Sequence, residues 1–309
     1  MSKERIHIID GFDMGLRNRT AIYVLDETDL TLIETGPSAS GKYIEAGLKR
    51  LGFKLEDIKN IIVTHIHLDH AGGVGQLLEK CPNAKVFVHH KGARHLVDPS
   101  RLIAGAKAVY RDKFEPLFAP VIAIPEERLV SVEEGDTLTI SEHCTLHFWD
   151  TPGHANHHLS IFDPVSQTLF TGDTVGIRYQ QLIDDGIHFY LPSTSPNQFD
   201  PNKMRASIKR MQETKLKGLY FGHYGMSSNV SDVYEQVEKW LEIFLREAQD
   251  VFEQDGNATM LKERLYQLVM NALLEKGVKP SHEVFSIIQL DLEVSAMGLL
   301  DYLAKKSPV

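Results

Sequence analysis

Cysteine is nearly absent: Cys81 and Cys144 are the only two in 309 residues. Two thiols make neither a disulfide framework nor a thiolate metal cluster, so any metal must rest on imidazole and carboxylate donors. Basic charge is in deficit as well. Lys and Arg total 33 against 42 Asp and Glu, a net charge of -9, which gives no general positive field for nucleic acid or an anionic membrane surface. No apolar run approaches the roughly 20 residues of a membrane helix. The start, Met1-Ser2-Lys3-Glu4-Arg5, leads into a short alternating segment rather than the apolar core of a secretory signal. A G-x-S-x-G elbow is also missing, which argues against serine-hydrolase chemistry. These absences leave a cytoplasmic protein that works on a small molecule, with no nucleic-acid or membrane partner and with room for a homodimer.

What is present is an ordinary globular composition, 42% hydrophobic and 24% charged, long enough for one large domain or a domain with an appendage. Its most informative feature is Thr64-His65-Ile66-His67-Leu68-Asp69-His70, directly after the apolar Ile61-Ile62-Val63. Three imidazoles and a carboxylate in six residues are costly to crowd together unless a cation compensates them, and this donor mixture suits zinc, iron or manganese.

Short strand-like runs alternate with amphipathic helical segments up to about residue 230. Strands are predicted at 5–9, 21–25, 30–33, 61–63 and 84–88, with helices at 38–51 and 74–80. After a helix-rich stretch at 92–117, a second set of strands is predicted at 137–140, 145–149, 158–162, 168–170 and 218–221, with a helix at 201–212. The two halves read as a loose duplication of one β-rich, helix-flanked unit. From Ser231 the pattern is helical, with segments near 231–254, 258–276 and 281–305. Apolar positions such as Leu261, Leu265, Leu268 and Val269 mark this tail as docked rather than free.

Three more ligand-type residues sit at predicted strand ends beside glycines that permit a sharp turn. They are His154 in Asp150-Thr151-Pro152-Gly153-His154, Asp173 in Thr171-Gly172-Asp173, and His223 in Gly222-His223-Tyr224-Gly225. Taken singly, each histidine reads as a packed residue. Four strand ends on one sheet edge, taken jointly, would deliver seven ligands to one place. His157 and His158 are expected to support the site rather than bind metal, and His89, His90, His143 and His147 to be solvated or packed. Tyr224 and the segment Arg178-Tyr179 with His188-Phe189-Tyr190-Leu191 are expected mainly to pack.

The ordered set His65-x-His67-x-Asp69-His70, His154, Asp173 and His223 resembles the metallo-β-lactamase superfamily over about residues 5 to 230, and within it the glyoxalase II-like and lactonase-like branches. The resemblance implies an α/β protein with an αβ/βα four-layer sandwich at 1–230 and a C-terminal helical extension at 231–309. It implies two divalent metal ions, zinc first, with iron or manganese as alternatives. One ion would be held by His65, His67 and His154, the other by Asp69, His70 and His223, with Asp173 bridging both. A hydroxide between the ions would then cleave a small ester, thioester or lactone, with Asp69 as the catalytic residue that orients it.

One departure from the family pattern and three features that bear on its subclasses qualify the likeness. The early strand ends Glu34-Thr35-Gly36 where the family usually carries an aspartate, which shifts the support behind the metal loop without removing a ligand. Asp173-Thr174-Val175-Gly176 lacks the tyrosine that lactonases of the superfamily often carry there, and no glutathione-binding set is legible in the tail. The segment 92–130 is too short for the inserted domain of nucleic-acid-processing members. Substrate-binding residues are therefore not identified, although the insert at 96–117 and the C-terminal helices are the elements available for a lid or a dimer contact. The alternative reading is an iron-dependent persulfide dioxygenase-like oxidoreductase, which keeps the whole motif and fills one site.

Overall fold

The computed structural model describes residues 4–306. Met1, Ser2 and Lys3 of the alternating start and the last three residues of the expected extension lie outside the described residues. By internal contacts the chain divides into two units. The first runs up to Thr151 and adds His157–Gly172 and Lys215–Ser228. The second consists of Pro152–Asn156, Asp173–Thr214 and the chain from Asn229 onward.

The first unit holds two six-stranded sheets. One runs in sequence order through β1 (Ile6–Asp10), β2 (Ala21–Leu25), β3 (Leu30–Ile33), β4 (Ile58–Ile62), β5 (Lys85–His89) and β6 (Leu129–Val132). Its first three strands are antiparallel, and β3 to β6 pair in parallel. The other sheet is built from β7 (Thr137–Ser141), β8 (Cys144–Asp150), β9 (Leu159–Asp163), β10 (Thr168–Gly172), β13 (Gly218–Phe221) and β14 (Met226–Ser227), in the order β14-β13-β10-β9-β8-β7.

Two-residue periodicity explains how the first sheet serves two cores at once. Ile22, Val24 and Ile61 point to one face, where they pack against Ile44 and Leu48 of α1 (Gly41–Leu51), Val74, Leu77 and Leu78 of α3 (Val74–Lys80), and Ala93 and Leu96 of α4 (His90–Val97). Their neighbours Ala21, Tyr23, Leu25 and Ile62 point to the other, against Leu146 and Phe148 of β8, Leu159 and Ile161 of β9, and Phe170 of β10. Tyr23 meets Phe170 edge-on at 5.1 Å, and its hydroxyl donates to the Gly225 carbonyl at 3.0 Å. The two sheets thus share one core. Between α3 and α4 lies only β5, whereas the insert forms α5 (Ser100–Tyr110) and α6 (Phe114–Phe118). The remaining short helix, α2 (Leu68–Ala71), carries the histidine-rich run.

The second unit contains the pair β11 (Ile177–Arg178) and β12 (Tyr190–Leu191), and four helices: α7 (Pro201–Gln212), α8 (Val230–Glu253), α9 (Ala258–Glu275) and α10 (Val284–Lys306). Helix α7 starts where Asp200 caps the backbone N–H groups of Asn202 and Lys203, with Pro201 at the first helical position. Leu261, Leu265 and Val269 of α9 are buried, as are Val237, Leu241 and Phe244 of α8 and Ile288, Leu292 and Ala296 of α10. Leu268 stays half-buried. Among the described residues no helix is long and apolar enough to cross a membrane.

Most predicted elements recur within a few residues. Strands β6, β11, β12 and β14 were not anticipated from the sequence; the last three span two residues each, too short to show a period, and β6 is largely half-exposed. Strand β4 starts at Ile58 rather than at Ile61: Lys59 and Asn60 break the apolar run, and the ladder to β3 continues past them with a register shift at Lys59.

Candidate metal centre

Parallel strand β4 delivers the chain to the sheet edge, and the histidine-rich run begins three residues later. His67 holds an extended backbone immediately before α2, while Asp69 and His70 lie within that helix. His65 and His70 are fully buried with ring centroids 4.1 Å apart, and His67 meets His65 edge-on at 4.6 Å. From the second sheet, His223 follows β13 and brings its ring to 5.2 Å from that of His70. The first unit therefore gathers five of the seven predicted residues: His65, His67, Asp69, His70 and His223.

Their orientation is fixed from behind. His223 Nδ1 lies 3.2 Å from the Arg19 carbonyl, and a carbonyl only accepts, so the ring proton sits on Nδ1. Nε2 is then the donor atom, 3.6 Å from Asp69 Oδ2. His70 Nε2 lies at the same 3.6 Å from Asp69 Oδ2, with the Glu34 carboxylate 3.4 Å from its Nδ1. Glu34 also accepts from the Thr64 backbone N–H at 3.1 Å, and the Thr64 hydroxyl is 3.0 Å from His65 Nδ1. The longer glutamate at the end of β3 thus supports both the histidine-rich loop and the buried His70, and it does so from a left-handed backbone, φ 71°.

The second unit holds the remaining two. His154 and Asp173 are both buried, with His154 Nε2 3.7 Å from Asp173 Oδ2 and His154 Nδ1 3.0 Å from the Ser193 carbonyl. The same tautomer argument places the proton on Nδ1 and the lone pair on Nε2.

A divalent cation fits the donor set of the first unit. Asp69, His70 and His223 each offer one ligand atom, all within 4.8 Å of one another. Donors bound at about 2.0–2.2 Å around one ion lie roughly 3 to 4 Å apart, and both Asp69 separations are in that range.

The supporting residues divide by whether their type signals a role. His158 stacks on His65 at 5.1 Å and its Nδ1 lies 3.0 Å from the Thr151 hydroxyl, while His157 meets His67 edge-on at 5.6 Å. Both pack around the histidine run. His89 is buried against Asp150 at 3.2 Å, which holds that carboxyl below its usual range against the opposing effect of burial. Tyr224 packs against the core shared by the sheets. In the second unit, Tyr179 donates to Asp291 at 3.0 Å and Arg178 bonds Gln180, which gives that segment a packing role. Sequence reasoning missed Arg19 and the buried Asp13 that pairs with its Nε at 3.3 Å; burial pushes the Asp13 carboxyl up, partly offset by Arg19. It also missed that Phe114 and Phe118 of the insert pack on Leu68, between His67 and Asp69.

Comparison with known proteins identifies the family. The model of the metallo-beta-lactamase superfamily matches residues 14–223. The chain belongs to the metallo-β-lactamase superfamily. A metallo-beta-lactamase fold-containing protein of Sulfurisphaera tokodaii is 28% identical over 227 residues, 72% of this chain and 79% of that protein. An N-acyl homoserine lactonase of Bacillus thuringiensis is 27% identical over 180 residues, 57% of this chain and 60% of the lactonase. The solved structure of a metallo-beta-lactamase family protein from Thermus thermophilus matches the fold with a TM-score of 0.68 at 18% identity, over 98% of this chain and 94% of that one. The fold is the α/β sandwich of the superfamily, extended by a C-terminal helical region, and most members of the superfamily are metal-dependent hydrolases.

The part played by Glu34 has a direct test. Glu34→Gln keeps the shape and the Thr64 contact but removes the charge facing His70. Residues that orient a ligand typically change metal affinity by roughly 10- to 100-fold, so the variant is expected to fold normally and to bind zinc weaker by that factor in competition with a chromogenic chelator. Unchanged affinity would remove Glu34 from the site.

Proposed function

We propose that this chain is a metal-dependent hydrolase that uses two divalent cations, zinc first, to cleave a small-molecule ester, thioester or lactone. The observation that carries the reading is the convergence of Asp69, His70 and His223, with tautomers set for coordination, in a chain of a superfamily made up mostly of metal-dependent hydrolases. In the arrangement proposed, His65, His67 and His154 would hold one cation, Asp69, His70 and His223 the other, and Asp173 would serve both. When bound, such a pair lowers the pKa of a water molecule toward neutrality and polarises a carbonyl oxygen.

The chain's own contribution follows from the burial of its side chains. His65, His70 and His223 are closed off from solvent, but the Asp69 side chain keeps 21% of its surface exposed. Asp69 is thus the carboxylate that water and substrate reach. Asp69 would help to hold a cation with His70 and His223, and its partly exposed carboxylate is the group that would take a proton from a water molecule and return it to the departing group. Glu34, Thr64 and the Arg19 carbonyl keep the imidazoles fixed while this happens, so the site need not reorganise as charge develops on the substrate. The similarity to an N-acyl homoserine lactonase supports the ester and lactone side of the reading.

The test is elemental analysis of the purified protein together with turnover of a panel of thioesters, lactones and phosphodiesters. Two divalent ions per chain and chelator-sensitive cleavage of an ester, thioester or lactone are expected. At most one ion per chain, iron, with oxygen uptake on persulfides would replace this reading with the dioxygenase alternative.

A further inference from the structure

Within the second unit, one short segment touches both candidate ligands and one helix of the C-terminal extension. Ser193, Thr194 and Ser195 follow β12 and are all buried. The Ser193 carbonyl accepts from His154 Nδ1 at 3.0 Å, and the Ser193 hydroxyl donates to Asp173 Oδ2 at 3.1 Å. Because His154 Nδ1 carries the proton, the Ser195 hydroxyl 3.4 Å from Nε2 can donate there in the metal-free protein and would yield that lone pair to a bound cation. Ser193 therefore fixes the tautomer of His154 through its carbonyl and the rotamer of Asp173 through its hydroxyl, with Ser195 beside the same ring.

The segment is itself held by α10. Thr194 donates its hydroxyl to the Ser295 carbonyl at 3.0 Å. One turn further on, Gly298 lets the helix backbone reach contact: a Cβ there would lie 1.9 Å from the Thr194 carbonyl oxygen and 2.6 Å from the Ser195 carbonyl carbon. Any side chain at 298 must push helix and segment apart. Ser295 and Gly298 are three residues apart and so lie on one helix face.

We infer that Ser193-Thr194-Ser195 is a positioning segment for His154 and Asp173, and that α10, through Ser295 and Gly298, keeps it in register. The C-terminal extension is then part of the support of the metal centre. This inference rests on the ligand roles proposed above for His154 and Asp173. Helix α10 acts on the cations only through the segment, so a change at Gly298 reaches metal binding without touching a ligand.

The experiment uses the full chain, with zinc as the probe. Zinc affinity is measured by competition with a chromogenic chelator for wild type, Ser193→Ala, Ser193→Thr and Gly298→Ala, and the tautomer of His154 is read from imidazole nitrogen shifts in the metal-free protein. Wild type is expected to bind zinc and to show the Nδ1–H tautomer. Ser193→Ala should bind zinc roughly 10- to 100-fold more weakly, with Ser193→Thr restoring much of the loss. Gly298→Ala should weaken binding comparably and shift His154 towards a mixture of tautomers. If Gly298→Ala does not fold, Thr194→Val carries the same test, since it removes the bond to Ser295 at nearly constant shape. Wild-type protein that binds no divalent cation would overturn the ligand roles themselves. Wild type that binds while Ser193→Ala and the α10-side variant bind equally well, with the His154 tautomer unchanged, would overturn this inference alone.

Discussion

Asp173→Ala is expected to leave the protein with almost no bound metal, whereas Asp69→Ala should keep about one ion per chain. The asymmetry follows from how the two carboxylates are used. In the proposed centre Asp69 serves one cation, which its loss would leave too weakly held to survive dialysis, while the other cation would keep His65, His67 and His154. Removing Asp173 takes a donor from both cations at once. It also brings the two positive charges together without the shared negative charge that compensates them, and buried charges without compensation are costly. The surroundings agree: Asp173 is buried and oriented by the Ser193 hydroxyl, whereas Asp69 is partly exposed to solvent. The readout is metal stoichiometry after exhaustive dialysis, with far-ultraviolet dichroism to show that both variants fold. Equal retention in the two would count against assigning Asp173 to both ions.

The histidine run, the strand ends and the helical tail could be read from the sequence because each rests on residue type. Histidine and aspartate signal ligands by their chemistry, and Ile22 and Val24 alternating with Tyr23 and Leu25 signal a strand by its period. What holds those ligands was mostly not legible, for a physical reason. His223 is oriented by the carbonyl of Arg19 and His154 by that of Ser193, and every residue offers the same carbonyl whatever its side chain. Asp13 and Arg19 form a buried pair whose carboxylate reads as one of many acidic residues until the loop places it. Glu34 was legible only because it stands where the family usually has another acid. The role of Gly298 depends on how closely α10 approaches the 193–195 segment, a distance that no local pattern encodes.

Gly172→Ala should damage both stability and metal binding, although it adds a single methyl group. Gly172 ends β10 with φ 49°, at a point where the ladder to β13 slips register. A side chain in this left-handed region costs about 1–2 kcal/mol by itself. Here the methyl would also lie 2.5 Å from His158 Nε2 and 2.6 Å from the Thr64 hydroxyl, inside van der Waals contact with both. Those two groups support His65, one by stacking and the other at 3.0 Å from Nδ1, so the clash is passed to the ligand. Gly135→Ala is the control: φ there is 86° and nothing lies within 4 Å of the added carbon, so it carries the backbone strain without the clash. Both variants are expected to lose a comparable backbone term in chemical denaturation, with a further 1–3 kcal/mol or so for Gly172→Ala from overpacking. Only Gly172→Ala should lose zinc affinity, by a factor of at least about 10, because only there does the strain reach a group that orients a ligand. Equal zinc affinity in the two variants would mean that Thr64 and His158 yield without moving His65, and that the glycine at the end of β10 is required by the turn alone.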